Sequence, residues 1–238
     1  MKSRELPYVR DMFDHIAPRY DFLNRLLSLR RDVFWRHVLV RGLRLAPGAR
    51  VLDVACGTGD VALEVVRQAG KGVRVAAVDF APQMLRLARP KVRDQAAGDR
   101  IGLLAADAFN LPFRRDLFDA VTIAFGIRNI QDKATVLKRF YQVLKPGGRL
   151  AVLELASPDS GVLKSAFLFY FHRVLPLVGR LFSKHGFAYS YLPASVAMFP
   201  PAPDFAALMH AAGFRRVSYR KMTMGVAVLF TGDKPRVL

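Results

Sequence analysis

The chain is short of cysteine and of acid, and it has no long apolar run. A single cysteine, Cys56, excludes a disulfide framework and a cysteine-built zinc site. No uninterrupted apolar stretch reaches the roughly 20 residues that a spanning helix needs. The first residues, MKSRELPYVRDMFDHIAPRY, hold no apolar core of the kind a secretory signal carries. A reducing, cytoplasmic setting is expected, with a peripheral place on the inner face of the cell membrane open. His15, His37, His172, His185 and His210 show no metal-ligand spacing, so no metal is expected.

The shortage of acid is uneven. Against 37 Lys and Arg stand 19 Asp and Glu, a net charge of +18. Residues 1–50 carry +6, residues 51–159 only +4, and residues 160–238 carry +8. Ser160 to Pro203 contains no acidic residue. Such asymmetry suits a basic face that meets a polyanion, nucleic acid or an anionic membrane; a solvated basic surface is the plainer reading.

What is present is regular. RVLDVA (50–55), VRVAAVDF (73–80), IGLLAADA (101–108), FDAVTIAF (118–125) and RLAVLEL (149–155) read as strands, and the segments between them as helices. DVALEVVRQAG (60–70), the stretch around PQMLRLARPKV, and DKATVLKRFYQVL (132–144) carry the helical period, and KPGG (145–148) reads as a turn. This alternation predicts an α/β fold with a parallel, doubly wound sheet. After a helix at 204–213, FRRVSYRKMT and GVAVLFTGD predict a closing antiparallel pair joined at Met224 and Gly225. Residues 1–49 read as an N-terminal helical cap, residues 50–238 as the main domain, and 160–203 as an insertion within it.

LDVACGTGD lies where the first strand hands over to the first helix of the main domain. Gly57 and Gly59 let the backbone turn sharply and come close to a ligand. Asp53, Asp79 and Asp107 fall at the carboxyl ends of three successive strands, which predicts one acid-lined crevice. Asp79, 20 residues beyond Gly59, suits the hydroxyls of a ribose. Where a dinucleotide fingerprint wants a third glycine this chain has Ala62, and an acidic crevice disfavours a pyrophosphate. S-adenosylmethionine, a nucleoside with a cationic sulfonium and no phosphate, is the expected cofactor. Cys56 is expected to pack rather than react.

VRDMFDHIAPRYDFLNRLLSL, then FWR, LDVACGTGD, ADAFNLPF, FGIRN and VLKPGGRLAVLE follow one another in this order and spacing. Together they resemble the ubiquinone/menaquinone biosynthesis C-methyltransferase family, from about Val9 to Gly232. The resemblance implies a Rossmann-like class I methyltransferase with a seven-stranded, mostly parallel sheet. It also implies transfer of a methyl group from S-adenosylmethionine to a ring carbon of a polyprenylated quinol, demethylmenaquinol first and the benzoquinol of ubiquinone synthesis second. Carried over position by position, it points to Thr58, Asp79, Asp107 and Ala108 as cofactor contacts, with Asp53 and Gly57 beside them. The chain departs from the family at Ala124, often serine, and at Arg30, often glycine.

Arg128 and Asn129 follow the fourth strand. Carbon methylation needs a nucleophilic ring carbon, which a quinol offers once a hydroxyl has lost its proton. A phenol pKa of about 10 makes that anion scarce at neutral pH. A guanidinium beside the pocket favours the anion, and Asn129 holds either that guanidinium or the substrate oxygen. Arginine stays protonated, so water is the expected proton acceptor. Tyr20, in the family's YDxxN element, is the candidate for orienting this group. The competing structural reading pairs Arg128 with Asp132 and leaves Tyr20 to packing.

VLKSAFLFYFHRVLPLVGRLF (162–182) sets Lys164, His172, Arg173 and Arg180 against Phe167, Phe171, Leu175, Val178 and Phe182 on a helix, the pattern of a lid or of a segment lying on an anionic membrane. The expected partners are a lipophilic quinol and a membrane surface, with a homodimer open. AFGIRN lacks the Pro-Pro-aromatic loop of enzymes that flip a base, so no nucleic acid is expected. A non-catalytic cofactor-binding scaffold is the remaining alternative, and it has little need of Arg128 and Asn129.

Overall fold

The computed structural model describes residues 21–22, 24–26, 28–70, 72–158, 161–170, 173 and 187–236. Tyr20 lies outside the described residues, as do the rest of residues 1–20 of the expected helical cap and most of 171–186.

A seven-stranded sheet organises the chain. In chain order come α1 (Arg31–Gly42), β1 (Arg50–Val54), α2 (Asp60–Gln68), β2 (Arg74–Asp79), α3 (Pro82–Asp94), β3 (Ile101–Ala105), β4 (Phe118–Ala124), α4 (Lys133–Val143) and β5 (Leu144–Leu155). α5 (Gly161–Phe169), α6 (Phe187–Ala197), α7 (Ala202–Ala211), β6 (Arg215–Met222) and β7 (Ala227–Asp233) complete it. The strand order is β3-β2-β1-β4-β5-β7-β6, and β7 runs antiparallel to both of its neighbours. The expected parallel sheet and closing antiparallel pair are both present. KPGG differs: it sits within the extended element Leu144–Leu155 rather than as a separate turn, and Gly147 there has φ +82°.

The central strands are apolar on both faces because helices cover both. One core packs Trp35, Leu39, Val61 and Val65 against Val51 and Ala77. The other packs Val136, Leu137, Phe140 and Phe205 against Leu52, Val121, Val152 and Phe230. Each such side chain contributes roughly 1.5–3 kcal/mol when fully buried, enough to make the strand ends a rigid support. The order reverses between β1 and β4, where a crevice opens at the carboxyl ends.

Candidate active site

Strain marks that crevice. Ala55 (φ +51°) follows β1 and Phe125 (φ +59°) follows β4, both left-handed although both carry side chains. Phe125 is held by its N–H donating to Leu153 O (2.8 Å), and Cys56 by its N–H donating to Val78 O (3.0 Å). Gly126 allows the two ends to approach, since a Cβ there would lie 2.8 Å from Ala55 Cβ. The result is a pocket with about 70 Å³ of space that a water-sized sphere can enter.

Asp79 shapes and lines it. One carboxylate oxygen accepts from Gly57 N–H (2.8 Å), the other from Ala81 N–H (2.8 Å). One carboxylate thus fixes both the glycine turn and the start of α3 while lining the pocket. Asp107 accepts from Phe109 N–H (3.0 Å), which presents Ala108 and Phe109 as an apolar wall. Gly57, Asp79, Asp107, Ala108, Ala124 and Asn129 all line the pocket. Among the described residues the wall contains no cation, and its only charges are Asp79 and Asp107. A pyrophosphate would find no counter-charge here, whereas a sulfonium and an α-ammonium would. The residues present therefore fit S-adenosylmethionine.

Thr58 and Asp53 stand elsewhere. The buried Thr58 hydroxyl donates to Asp21 (2.6 Å) and accepts from Lys91 Nζ (3.1 Å), so the side chain joins the turn to the chain's N-terminal part. Burial pushes the Asp21 carboxyl up, but hydrogen bonds from Lys91 and Thr58 outweigh it and hold the group below the usual range. Lys91 also pairs with Asp60, to which Arg36 Nη1 comes within 3.1 Å.

Asp53 does not line the pocket, which corrects the expectation of a crevice contact. The β1–β4 register sets it opposite Thr122, whose hydroxyl donates to Oδ1 (2.7 Å), while the buried Oδ2 has no hydrogen-bond partner. Burial pushes its carboxyl up to about 7, with Asp79 adding to the rise and Thr122 opposing it. A raised acid favours folding fully below its unfolded value of about 3.9, and that contribution is lost as pH climbs through about 7. Asp53→Asn is therefore expected to raise the melting point relative to the parent by clearly more at pH 8 than at pH 5. Differential scanning calorimetry at the two values checks this; an equal offset at both would refute it. Cys56 is buried, and burial pushes its thiol well up, as a packing role requires.

A short 3-10 turn, Ile127–Asn129, carries the other candidates. Asn129 is in the pocket wall, but the Arg128 side chain is nearly buried in an ion pair with Glu154 of β5 (Nη1 to Oε1 2.7 Å). Its backbone N–H also donates to Glu154 Oε2 (3.1 Å), Nη1 to Phe125 O, and Nε to Ser195 of α6 (3.3 Å). The expectation that the guanidinium itself stands beside the pocket to favour the anion is thus corrected, and so is the alternative pairing with Asp132. Asp132 instead caps α4, accepting from Thr135 N–H (2.9 Å). Three residues went unnoticed in the sequence. Glu154 is wholly buried, and Lys133 donates from Nζ to Ile130 O (2.6 Å). Tyr191 of α6 donates from its hydroxyl to Asn129 Oδ1 (3.0 Å). Burial lowers the Lys133 pKa, and Glu154 partly restores it.

Fold and pocket together define a class I S-adenosylmethionine-dependent methyltransferase. The fold alone does not settle chemistry: SpnF, a 4+2 cyclase, superposes with TM-score 0.73 at 17% identity, over 96% of each chain. A methyltransferase from Aquifex aeolicus does so with TM-score 0.64 at 17% identity, over 90% of this chain and 97% of its own. The sequence is decisive: residues 1–234 match the ubiE/COQ5 methyltransferase family, and the chain belongs to it. It is 50% identical to the ubiquinone/menaquinone biosynthesis C-methyltransferase UbiE of Geobacter sulfurreducens, over 95% of this chain and 88% of that one. It is 49% identical to the demethylmenaquinone methyltransferase of Thermus thermophilus, over 94% of this chain and all of that one.

Proposed function

We propose that this protein methylates a ring carbon of a polyprenylated quinol in respiratory quinone biosynthesis, converting demethylmenaquinol to menaquinol. The relatives named for demethylmenaquinone favour the naphthoquinol ring over the benzoquinol. One observation carries the chemistry: an amide, Asn129, stands in the same pocket wall as the two cofactor carboxylates.

Bound S-adenosylmethionine supplies an electrophilic methyl group. The protein's task is to make the ring carbon nucleophilic and to hold it still. Tyr191 occupies Asn129 Oδ1, which leaves the amide hydrogens on Nδ2 to donate to a substrate oxygen. Next to Asn129, Arg128 is paired with Glu154, and Lys133, held on Ile130 O, adds one further positive charge. An amide donor backed by that charge stabilises a phenolate as its hydroxyl proton leaves to water. Negative charge then reaches the ortho carbon, which bonds the methyl, and the ring proton at that carbon departs. Asp79 and Asp107 fix the nucleoside, with Gly57 and Ala108 beside it. Thr58 acts through the turn, and Arg128 positions Asn129.

Incubating the protein with labelled S-adenosylmethionine and a short-chain demethylnaphthoquinol tests the activity, and no label in the quinol would refute it. Tyr191→Phe frees the Asn129 amide to rotate. Its kcat is expected to fall about tenfold, the scale of one lost hydrogen bond, with cofactor Kd unchanged. The acidic limb of its kcat profile should shift to higher pH, because the anion has lost an oriented donor. An unshifted limb would count against this role for Tyr191.

A further inference from the structure

The carboxyl end of the sheet, where the pocket opens, also carries a set of exposed apolar tips. Position follows from the pairing. Ala227, the first residue of β7, lies opposite Leu155, the last of β5, so the turn Thr223–Gly225 is at the pocket's end. α1 begins at that end too. Arg36, in its second turn, reaches Asp60 just past the glycine turn, whereas Gly42 at its far end accepts from Arg149, toward the amino end of the parallel strands. Trp35 Nε1 donates to Thr223 Oγ1 (2.9 Å) and ties the two places together.

Beside that tie the surface is greasy. Leu29 is 82% exposed, Met224 73% and Phe34 50%, and Phe169 of α5 is 64% exposed. Phe167, two residues before Phe169, is buried with Val196 in a cluster that Val226 also packs against, which brings α5 near the same turn. Leu29 (φ +51°), Arg30 (φ +61°) and Met224 (φ +54°) are all left-handed. Arg30 holds the conformation that glycine adopts without strain, at the position where the family often has glycine. The fold thus holds Leu29 and Met224 outward on strained tips rather than tucking them in. The exposed charges around them are Arg25, Arg30, Arg31 and Lys164. The acids nearby, Asp21, Asp32 and Asp60, are turned inward onto Lys91 and Arg36.

We infer that this rim docks the protein on an anionic bilayer, with Leu29, Phe34, Met224 and Phe169 entering the interface and the arginines meeting headgroups. A second copy fits less well, because a two-fold contact through the rim would set the same arginines against one another. Anionic lipid supplies the missing charge, and apolar tips flanked by arginine suit the boundary between headgroups and acyl chains. The inference rests on the quinol reading for its purpose: a tailed substrate would pass from the bilayer into a pocket already facing it.

Flotation with phosphatidylcholine vesicles, with and without phosphatidylglycerol, tests the docking. The paired variant Leu29→Asn and Met224→Asn suits the purpose, since asparagine tolerates left-handed backbone better than leucine or methionine. The parent is expected to float only with anionic vesicles, and the variant to bind on the order of tenfold more weakly or worse. The variant should keep the parent's rate on a short-chain quinol in solution and lose rate on a long-chain quinol in vesicles. Undiminished flotation of the variant, equal flotation of the parent on neutral vesicles, or a parent dimer that the variant splits would each overturn the docking. A parent that fails to methylate the short-chain quinol would instead refute the activity, and flotation would still decide the docking.

Discussion

Asp79→Ala is expected to weaken S-adenosylmethionine binding by at least about 100-fold, the equivalent of two lost charge-assisted hydrogen bonds. The carboxylate has two duties. It takes the Gly57 and Ala81 amides, each at 2.8 Å, and it faces the pocket where ribose hydroxyls would donate. Removing it strands two amides and frees the glycine turn. Asp79→Asn keeps the shape, but it turns an NH2 toward one of those N–H donors and lacks the negative charge. Its loss should therefore approach that of alanine. Isothermal titration with S-adenosylmethionine measures both, and a Kd within threefold of the parent for either would contradict this role.

The second large effect lies at the Arg128–Glu154 pair. Glu154 is fully buried and the Arg128 side chain only 7% exposed, so Glu154→Ala leaves a buried cation without its carboxylate. That loss is expected to cost about 3–5 kcal/mol of stability, the range for breaking a buried pair from one side. Chemical denaturation measures it. Arg128→Lys separates stability from catalysis. It keeps the charge but loses the planar fork that joins Glu154, Phe125 O and Ser195, so the Asn129 turn loosens. The expected result is a kcat lower by about 100-fold with cofactor Kd nearly unchanged, the pattern of an interaction that matters in the transition state. Unchanged turnover would remove Arg128 from the positioning machinery.

Much of the fold was legible because its signals are local. Alternating strands and helices, the glycines of the turn and an acid at each strand end announce a doubly wound sheet with a crevice. Asp79, Asp107, Ala108 and Gly57 line the pocket for the same reason: each sits a fixed step from a strand end. What stayed hidden is non-local. Arg128 had a nearby acid in Asp132, yet its partner comes from β5, 26 residues on, because strand pairing brings β5 beside β4. Asp53 resembled a crevice acid until the register with β4 set it against Thr122, inside the sheet. Thr58 sits in the right turn, but its hydroxyl is engaged by Asp21 and Lys91. Tyr191 came from the 160–203 insertion, and nothing in its spacing marks a reach to Asn129.

The claim beneath all of this is that the pocket makes a ring carbon, not an oxygen, the nucleophile. Its most direct test is to run the reaction with S-adenosylmethionine carrying a 13C-labelled methyl and to locate that carbon in the product by long-range carbon–proton NMR correlation. A C-methyl signal correlated with ring carbons is the expected result. A methoxy signal would contradict the account.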